Sequence, residues 1–249
     1  MLPDFTLFQW SLAALAGFCI GFSKSGFSGV GLLTVLLMAA LFPERQSTGA
    51  LLPLLICGDV LSVLVFHQHA KWALIWRMLP PTVVGILAGY WLLRVIPDGA
   101  FGPVIGGIVL LMVLLQVLRQ SVPKAYDALP HTRGFAWLMG AWSGVATMLA
   151  NAAGPVMSLY FLAISIPKYE LVGTSAWFFL LINLLKVPLS ANLGLISKSS
   201  LLLNLCLIPM VALGIFSGRS LIRRIPQKRF EQILLGLATL AALRFMRVF

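Results

Sequence analysis

Three charged side chains, Lys24, Asp59 and Lys186, lie within apolar stretches of the sequence. A charged group at membrane depth costs free energy and usually has a functional role. Asn183 follows Asp59 by 124 residues, and Lys186 lies one helical turn beyond Asn183 on the same face. The lysines could bind an anion. Asp59 could take up or release a proton as the anion binds or leaves, and so couple proton movement to anion transport. A low dielectric disfavours the charged carboxylate whereas a nearby lysine favours it, so its protonation state could change readily.

Two breaks rich in small residues interrupt the apolar sequence, SKSGFSG at 23–29 and ANAAGP at 150–155. A helix that starts at such a break presents free backbone N–H groups and a positive dipole end, which suits an anion. Glycines there let the backbone approach a ligand closely. The predicted substrate-binding residues are Lys186, Asn183, Asn151, Gly154, Lys24, Gly26 and Gly29.

Structural roles for the same side chains remain open at this point. Lys186 and Asp59 could form a buried ion pair that only joins two parts of the chain. Lys24 could extend to the lipid headgroups, and Asn183 could serve only as a hydrogen-bonding partner for a neighbouring helix.

The elements that carry these residues are predicted to be membrane helices. Sixty per cent of the residues are hydrophobic and ten per cent are charged, which is typical of a multi-pass membrane protein. Ten apolar runs follow one another at about 7–22, 30–42, 49–66, 79–94, 101–118, 135–149, 155–166, 171–191, 201–222 and 232–246. We therefore expect an all-α fold embedded in the lipid bilayer.

The net charge of +11 does not indicate nucleic-acid binding, because most of the 18 Lys and Arg residues lie in short loops between apolar runs. Positive charge in such loops sets membrane orientation and meets anionic lipid. The sequence has no paired-carboxylate site, HExxH, GxSxG or phosphate-binding loop, so we expect no enzyme and no cofactor. His67 and His69 have the wrong spacing for one helical face, and no metal site is expected.

The sequence contains an internal repeat. Residues 80–97 and 209–226 share eight of eighteen positions: Pro80/Pro209, Gly85/Gly214, Ile86/Ile215, Gly89/Gly218, Leu92/Leu221, Arg94/Arg223, Ile96/Ile225 and Pro97/Pro226. At a spacing of 124, Pro43 matches Pro167, Gly49 matches Gly173, and Asp59 matches Asn183. Duplicated halves around a central site are typical of secondary transporters. The predicted division is repeat one at 1–119, a cytoplasmic linker at 120–134 and repeat two at 135–249.

Each repeat is predicted to hold a broken or hairpin helix pair followed by three spanning helices. If the short pairs are hairpins, the Lys and Arg residues other than Lys186 divide twelve against five between the two sides of the bilayer. If each pair is one broken helix, they divide eight against eight, with Lys24 also left out. The first division gives an orientation signal, so we favour inverted repeats. Whether the hairpins span the bilayer or are re-entrant stays open.

The segments GAWSGVATMLANAAGPVMSLYFLA (140–163) and GTSAWFFLLINLLKVP (173–188) resemble the TauE/SafE family of sulfite exporters and toluene-sulfonate permeases. In the first repeat, residues 21–37 and 44–59 are similar to one branch of that family. The resemblance implies a secondary carrier for sulfite, sulfoacetate or a related sulfonate in a bacterial inner membrane. It makes Asn151, Gly154, Pro155, Asn183 and Lys186 site candidates.

Many members of the family have a glycine triplet and a proline near residues 29–36, where this chain reads GVGLLTVL. The exact anion therefore stays open, as do import or export, the coupling ion, for which protons are one candidate, and assembly into a homo-oligomer. The alternative is a channel-like or scaffold membrane protein whose buried polar residues serve helix packing.

Overall fold

The structure, a computed structural model, describes residues 3–27, 29–121, 132–163 and 166–221, together with Gly236, Thr239, Leu240 and Leu243. Across these residues the chain is helical and contains no strand. Nine α-helices follow one another: α1 Leu7–Lys24, α2 Val30–Leu41, α3 Glu44–Phe66, α4 Trp72–Val95, α5 Phe101–Ser121, α6 Arg133–Ala150, α7 Gly154–Ala163, α8 Lys168–Asn192 and α9 Lys198–Leu221. Short 3₁₀ turns at His67–His69 and Asp98–Ala100 precede α4 and α5.

The predicted all-α fold is confirmed for this part of the chain. The first nine apolar runs match the nine helices within a few residues, except that α3 and α4 begin earlier than their apolar runs. Most of the tenth run, 232–246, and most of the predicted linker at 120–134 lie outside the described residues. The division into two repeats and a linker therefore stays a prediction.

Both predicted breaks separate two helices. The first runs between the end of α1 at Lys24 and the start of α2 at Val30, and its Gly26 has φ 105°, a conformation that favours glycine. The second is the Asn151–Ala153 segment between α6 and α7. Asn151 ends α6 in the left-handed conformation with φ 52°, and its N–H bonds to the carbonyls of Ala146 and Thr147.

Five helical segments of the described chain are long and apolar enough to cross a bilayer: Arg45–His69, Trp72–Val95, Asp98–Leu115, Tyr169–Asn192 and Lys198–Ser220. By contrast, α2 and α7 have 12 and 10 residues. At about 1.5 Å per residue they are too short for a hydrocarbon core of about 30 Å. Large apolar side chains, among them Leu64, Trp91 and Leu205, are exposed on the outer surface, as lipid contact requires.

Helices α3 and α8 pack against each other in antiparallel directions. Gly49, near the start of α3, contacts Leu195 just beyond the end of α8. Gly173, near the start of α8, contacts Phe66 and Ala70 at the far end of α3. A Cβ at either glycine would approach this backbone too closely, so the two glycines let the helix ends meet. The middles of α3 and α8 carry the polar residues described below.

Two further helix pairs, α1 with α9 and α4 with α6, pack closely enough for their backbones to touch. On α1, Gly21 lies against Val211 of α9. On α6, Gly144 lies against Thr82 of α4. Small residues allow such approach between membrane helices. Gly85, Gly89, Gly214 and Gly218 also permit close packing, because a Cβ at each would lie too close to atoms of the neighbouring helix or, for Gly218, of Ser25 just after α1.

Candidate functional site

A cavity of about 90 Å³ lies between the two breaks, α3 and the first half of α8. Both breaks contribute to its wall, through Gly26 on one side and Ala152–Gly154 on the other. Much of the lining is apolar, as with Leu55 and Phe179. Its polar and charged lining residues are Ser23, Lys24, Thr34, Ser62, Thr147, Asn151, Ser158 and Ser175. A single bound water needs a cavity volume of only about 10–15 Å³. This cavity is several times larger, so it has room for a small anion.

Lys24 forms an ion pair with Asp59 at the edge of this cavity. The Lys24 Nζ to Asp59 Oδ1 distance is 2.5 Å. The Asp59 side chain is fully buried, whereas 11% of the Lys24 side chain is exposed. The Lys24 ammonium also lies 4.8 Å from the centre of the Phe179 ring, where the ring face attracts a cation. Lys24 therefore brings a positive charge to the cavity wall.

Asn183 connects Asp59 to the second lysine. Its Nδ2 donates to Asp59 Oδ2 at 2.7 Å, across the antiparallel α3–α8 contact. Its Oδ1 accepts from Lys186 Nζ at 3.3 Å. A single buried amide therefore uses its donor on a carboxylate and its acceptor on an ammonium.

Lys186 is buried behind the cavity wall, with 1% of its surface exposed. Besides Asn183, its ammonium donates to Asn151 Oδ1 at 2.6 Å and to Thr147 Oγ1 at 3.1 Å. An ammonium has three donors, and these three contacts use all of them. Two of the acceptors, Thr147 and Asn151, line the cavity. Lys186 is therefore hydrogen-bonded to the cavity wall from behind.

Asn151 has both a backbone and a side-chain role at the second break. Its left-handed conformation turns the chain from α6 into the segment before α7. Its Nδ2 donates to the Thr48 carbonyl at 2.9 Å, and the Thr48 hydroxyl donates back to the Leu149 carbonyl at 3.1 Å. Asparagine tolerates this backbone better than most residues, and these bonds fix the break against α3.

The two ammonium groups and one carboxylate of this network leave an excess of one positive charge when all three are ionised. In a low-dielectric surrounding, an uncompensated charge interacts strongly with any ion that enters. The arrangement suits reversible binding of a small anion, with Lys24 nearest to it.

The structure brings seven of the eight predicted residues together. Lys24, Gly26, Asn151 and Gly154 line the cavity, as does Pro155. The remaining three, Asp59, Asn183 and Lys186, form the hydrogen-bonded layer behind them. Gly29 is not among the residues that line the cavity. Lys24 does not extend to the lipid headgroups, because its ammonium binds the buried carboxylate of Asp59. Asp59 and Lys186 do not form an ion pair with each other: the carboxylate pairs with Lys24, and the Lys186 ammonium donates to neutral side chains.

Several residues of the site were missed by sequence reasoning, chiefly hydroxyl side chains: Thr34, Thr48, Ser62, Thr147, Ser158 and Ser175. A signal was present for some of them. Thr34 and Ser158 are 124 residues apart, as are Ser62 and Lys186, and this is the spacing that relates Asp59 to Asn183. Following that spacing through the short helices would have paired Thr34 with Ser158.

The chain was compared with known protein families, curated proteins and solved structures. The family model described as "Sulfite exporter TauE/SafE" matches residues 13–245, which is nearly the whole chain. No curated protein and no solved structure matches it.

Proposed function

Because this chain belongs to the TauE/SafE family of membrane transporters, we propose that it is a secondary carrier for a small sulfur-containing anion such as sulfite, sulfoacetate or a related organosulfonate. The observation that carries the proposal is the Lys24 ammonium in the wall of a cavity between two helix breaks. Members of this family are transporters of sulfur anions rather than enzymes. We place the carrier in a bacterial cytoplasmic membrane.

The anion binds at the cavity, nearest to Lys24, with the α2 and α7 N-termini on either side. Lys186 holds Asn151 and Thr147 in place and adds positive charge from behind them. A channel-like or scaffold protein is the alternative. It has no need for unwound backbone at two breaks that line one cavity, whereas a carrier uses such backbone to form its site.

In this proposal the two halves are inverted repeats, and several contacts support that relation. Asp59 and Asn183 hold equivalent positions and meet across the antiparallel α3–α8 pair. The glycine contacts repeat as well: Gly21 meets Val211 and Gly144 meets Thr82, where Val211 and Thr82 hold matching places in the repeated eighteen-residue segment. A two-fold axis in the membrane plane relates repeats in this way, and the site lies close to that axis.

The test of the proposal is thermal stabilisation of the purified protein by sulfite, sulfate, thiosulfate, sulfoacetate, taurine, acetate and phosphate. Anything that binds the folded state raises its stability by mass action. We expect sulfite or a sulfonate to raise the melting temperature, and Lys186→Ala to abolish that increase.

The matched control is Lys198→Ala, which removes an exposed lysine at the start of α9 and should keep the full increase. If folded Lys186→Ala responds like the wild type, Lys186 has no part in the anion site. If the wild type responds to none of the sulfur anions at several millimolar, the proposed substrate class is wrong.

A further inference from the structure

Thr34 has a buried hydroxyl without a hydrogen-bond partner among the described residues. It lines the cavity, and 1% of its surface is exposed. Leaving such a hydroxyl unpaired is destabilising, because the group loses its hydrogen bonds to water and gains none in return. A buried polar group that the protein itself does not satisfy, at the wall of a candidate binding cavity, points to a partner supplied by a ligand.

Other hydroxyls in these helices find a partner in their own backbone. The Ser23 hydroxyl donates to the Ile20 carbonyl at 2.8 Å, and the Thr82 hydroxyl donates to the Met78 carbonyl at 2.8 Å. Such bonds to a carbonyl three or four residues earlier are the usual solution for Ser and Thr in a helix. Thr34 lies in a helix as well, yet its hydroxyl does not use this solution.

A second hydroxyl of the cavity wall holds the matching position in the other short helix. Thr34 is the fifth residue of α2, and Ser158 is the fifth residue of α7. Ser158 also lines the cavity and has 9% of its surface exposed. Both short helices start at a break, so each hydroxyl lies just over one turn from a helix N-terminus.

We propose that Thr34 and Ser158 are anion-binding residues of the carrier, each donating a hydrogen bond from its hydroxyl to a different oxygen of one bound oxyanion. This inference rests on the proposed function and adds to it. The ligand it describes is a compact oxyanion with at least two acceptor oxygens, held by one hydroxyl from each half of the protein, while Lys24 supplies the charge. A sulfonate or sulfite meets this description.

The experiment measures the dissociation constants of sulfite and methanesulfonate for the purified full chain by calorimetry. Its variants are Thr34→Val, Ser158→Ala, the double variant and Thr34→Ser. Each lost hydrogen bond should weaken binding about tenfold. The double variant should weaken binding more than either single variant, up to about a hundredfold where the two losses add. Thr34→Ser should restore binding to near the wild-type value.

Folding is monitored through the melting temperature without anion. Thr34→Val should leave it unchanged or raised, since the variant removes an unpaired buried hydroxyl. The matched control is Ser143→Ala in α6, whose buried hydroxyl is also without a partner in the described chain but is not part of the cavity wall. It should bind both anions like the wild type.

The inference is overturned if Thr34→Val and Ser158→Ala both bind within about twofold of the wild type, or if Ser143→Ala weakens binding equally. If the thermal panel shows that the wild type binds phosphate or acetate but no sulfur anion, calorimetry is done with that anion instead; weaker binding by Thr34→Val then supports the hydroxyl pair while the proposed sulfur substrate fails. If no anion binds the wild type, both proposals fail.

Discussion

At the scale of single residues, the site depends on how a few buried polar atoms are shared. Asn183 serves both charges at once, since it donates to Asp59 and accepts from Lys186. Asp59 in turn holds Lys24 at the cavity edge. An anion that binds Lys24 must compete with the Asp59 carboxylate, and that competition provides a physical basis for coupling anion binding to protonation of Asp59.

We therefore expect Asp59→Asn to uncouple transport from a pH gradient while anion exchange continues. The amide keeps an oxygen that can accept from Asn183, so the contact between α3 and α8 can persist, but it cannot take up or release a proton. The measurement is uptake of labelled sulfite into proteoliposomes with and without an imposed pH gradient.

Asp98→Asn is the matched control for this variant, because the Asp98 carboxylate is largely exposed and pairs with Arg45 outside the site. It should respond to the gradient like the wild type. If Asp59→Asn also keeps the full response, Asp59 has no part in coupling.

At the scale of helices, the sequence predicted most of the fold from apolar periodicity and from the two breaks. Long apolar runs specify membrane helices because their backbone must be hydrogen-bonded internally, and the small residues at 23–29 and 150–155 mark where α1 and α6 end. The starts of α3 and α4 were missed. Glu44–Thr48 is helical but polar, and Trp72–Met78 is apolar except for Arg77, which separates it from the run that begins at residue 79.

Close helix packing yields a prediction at this scale. Gly144→Ala should destabilise the α4–α6 contact by about 1–3 kcal/mol, because the added Cβ would meet the Thr82 carbonyl and the backbone would have to separate. Gly21→Ala should act likewise between α1 and α9. The measurement is the melting temperature and the folded yield in detergent.

The control is Gly107→Ala, in the interior of α5, where an added Cβ meets nothing within 4 Å. This change should be neutral or slightly stabilising, since alanine favours a helix more than glycine does. Equal stability of all three variants would show that these contacts do not hold the helix pairs together.

At the scale of the whole molecule, the pairings inside the site could not be predicted from the sequence. The repeat spacing placed Asp59 opposite Asn183, but nothing in the local pattern around Lys24 indicated that its ammonium would reach Asp59 on α3 rather than lipid. Lys186 was predicted to bind the anion directly. Its burial behind Asn151 and Thr147 depends on where the end of α6 lies relative to α8, which no spacing within either helix encodes.

Inverted repeats make a prediction about the two sides of the membrane. Gln46 and Tyr169 are exposed near the starts of α3 and α8, which run antiparallel. Single cysteines at these positions, with Cys19, Cys57 and Cys206 replaced by alanine, should react with an impermeant thiol reagent from opposite sides. His69→Cys should react from the same side as Tyr169→Cys. Labelling of Gln46→Cys and Tyr169→Cys from one side would instead support parallel repeats.

The central claim, that this carrier moves a sulfur anion through a site charged by Lys24, is tested most directly by uptake of labelled sulfite into proteoliposomes. Wild type, Asp59→Asn and the double variant Lys24→Met/Asp59→Asn are compared, since the double variant leaves no buried carboxylate unpaired. We predict saturable flux in the wild type, continued exchange in Asp59→Asn and none in the folded double variant. Equal exchange in the single and double variants, or wild-type flux no greater than in protein-free liposomes, would contradict the claim.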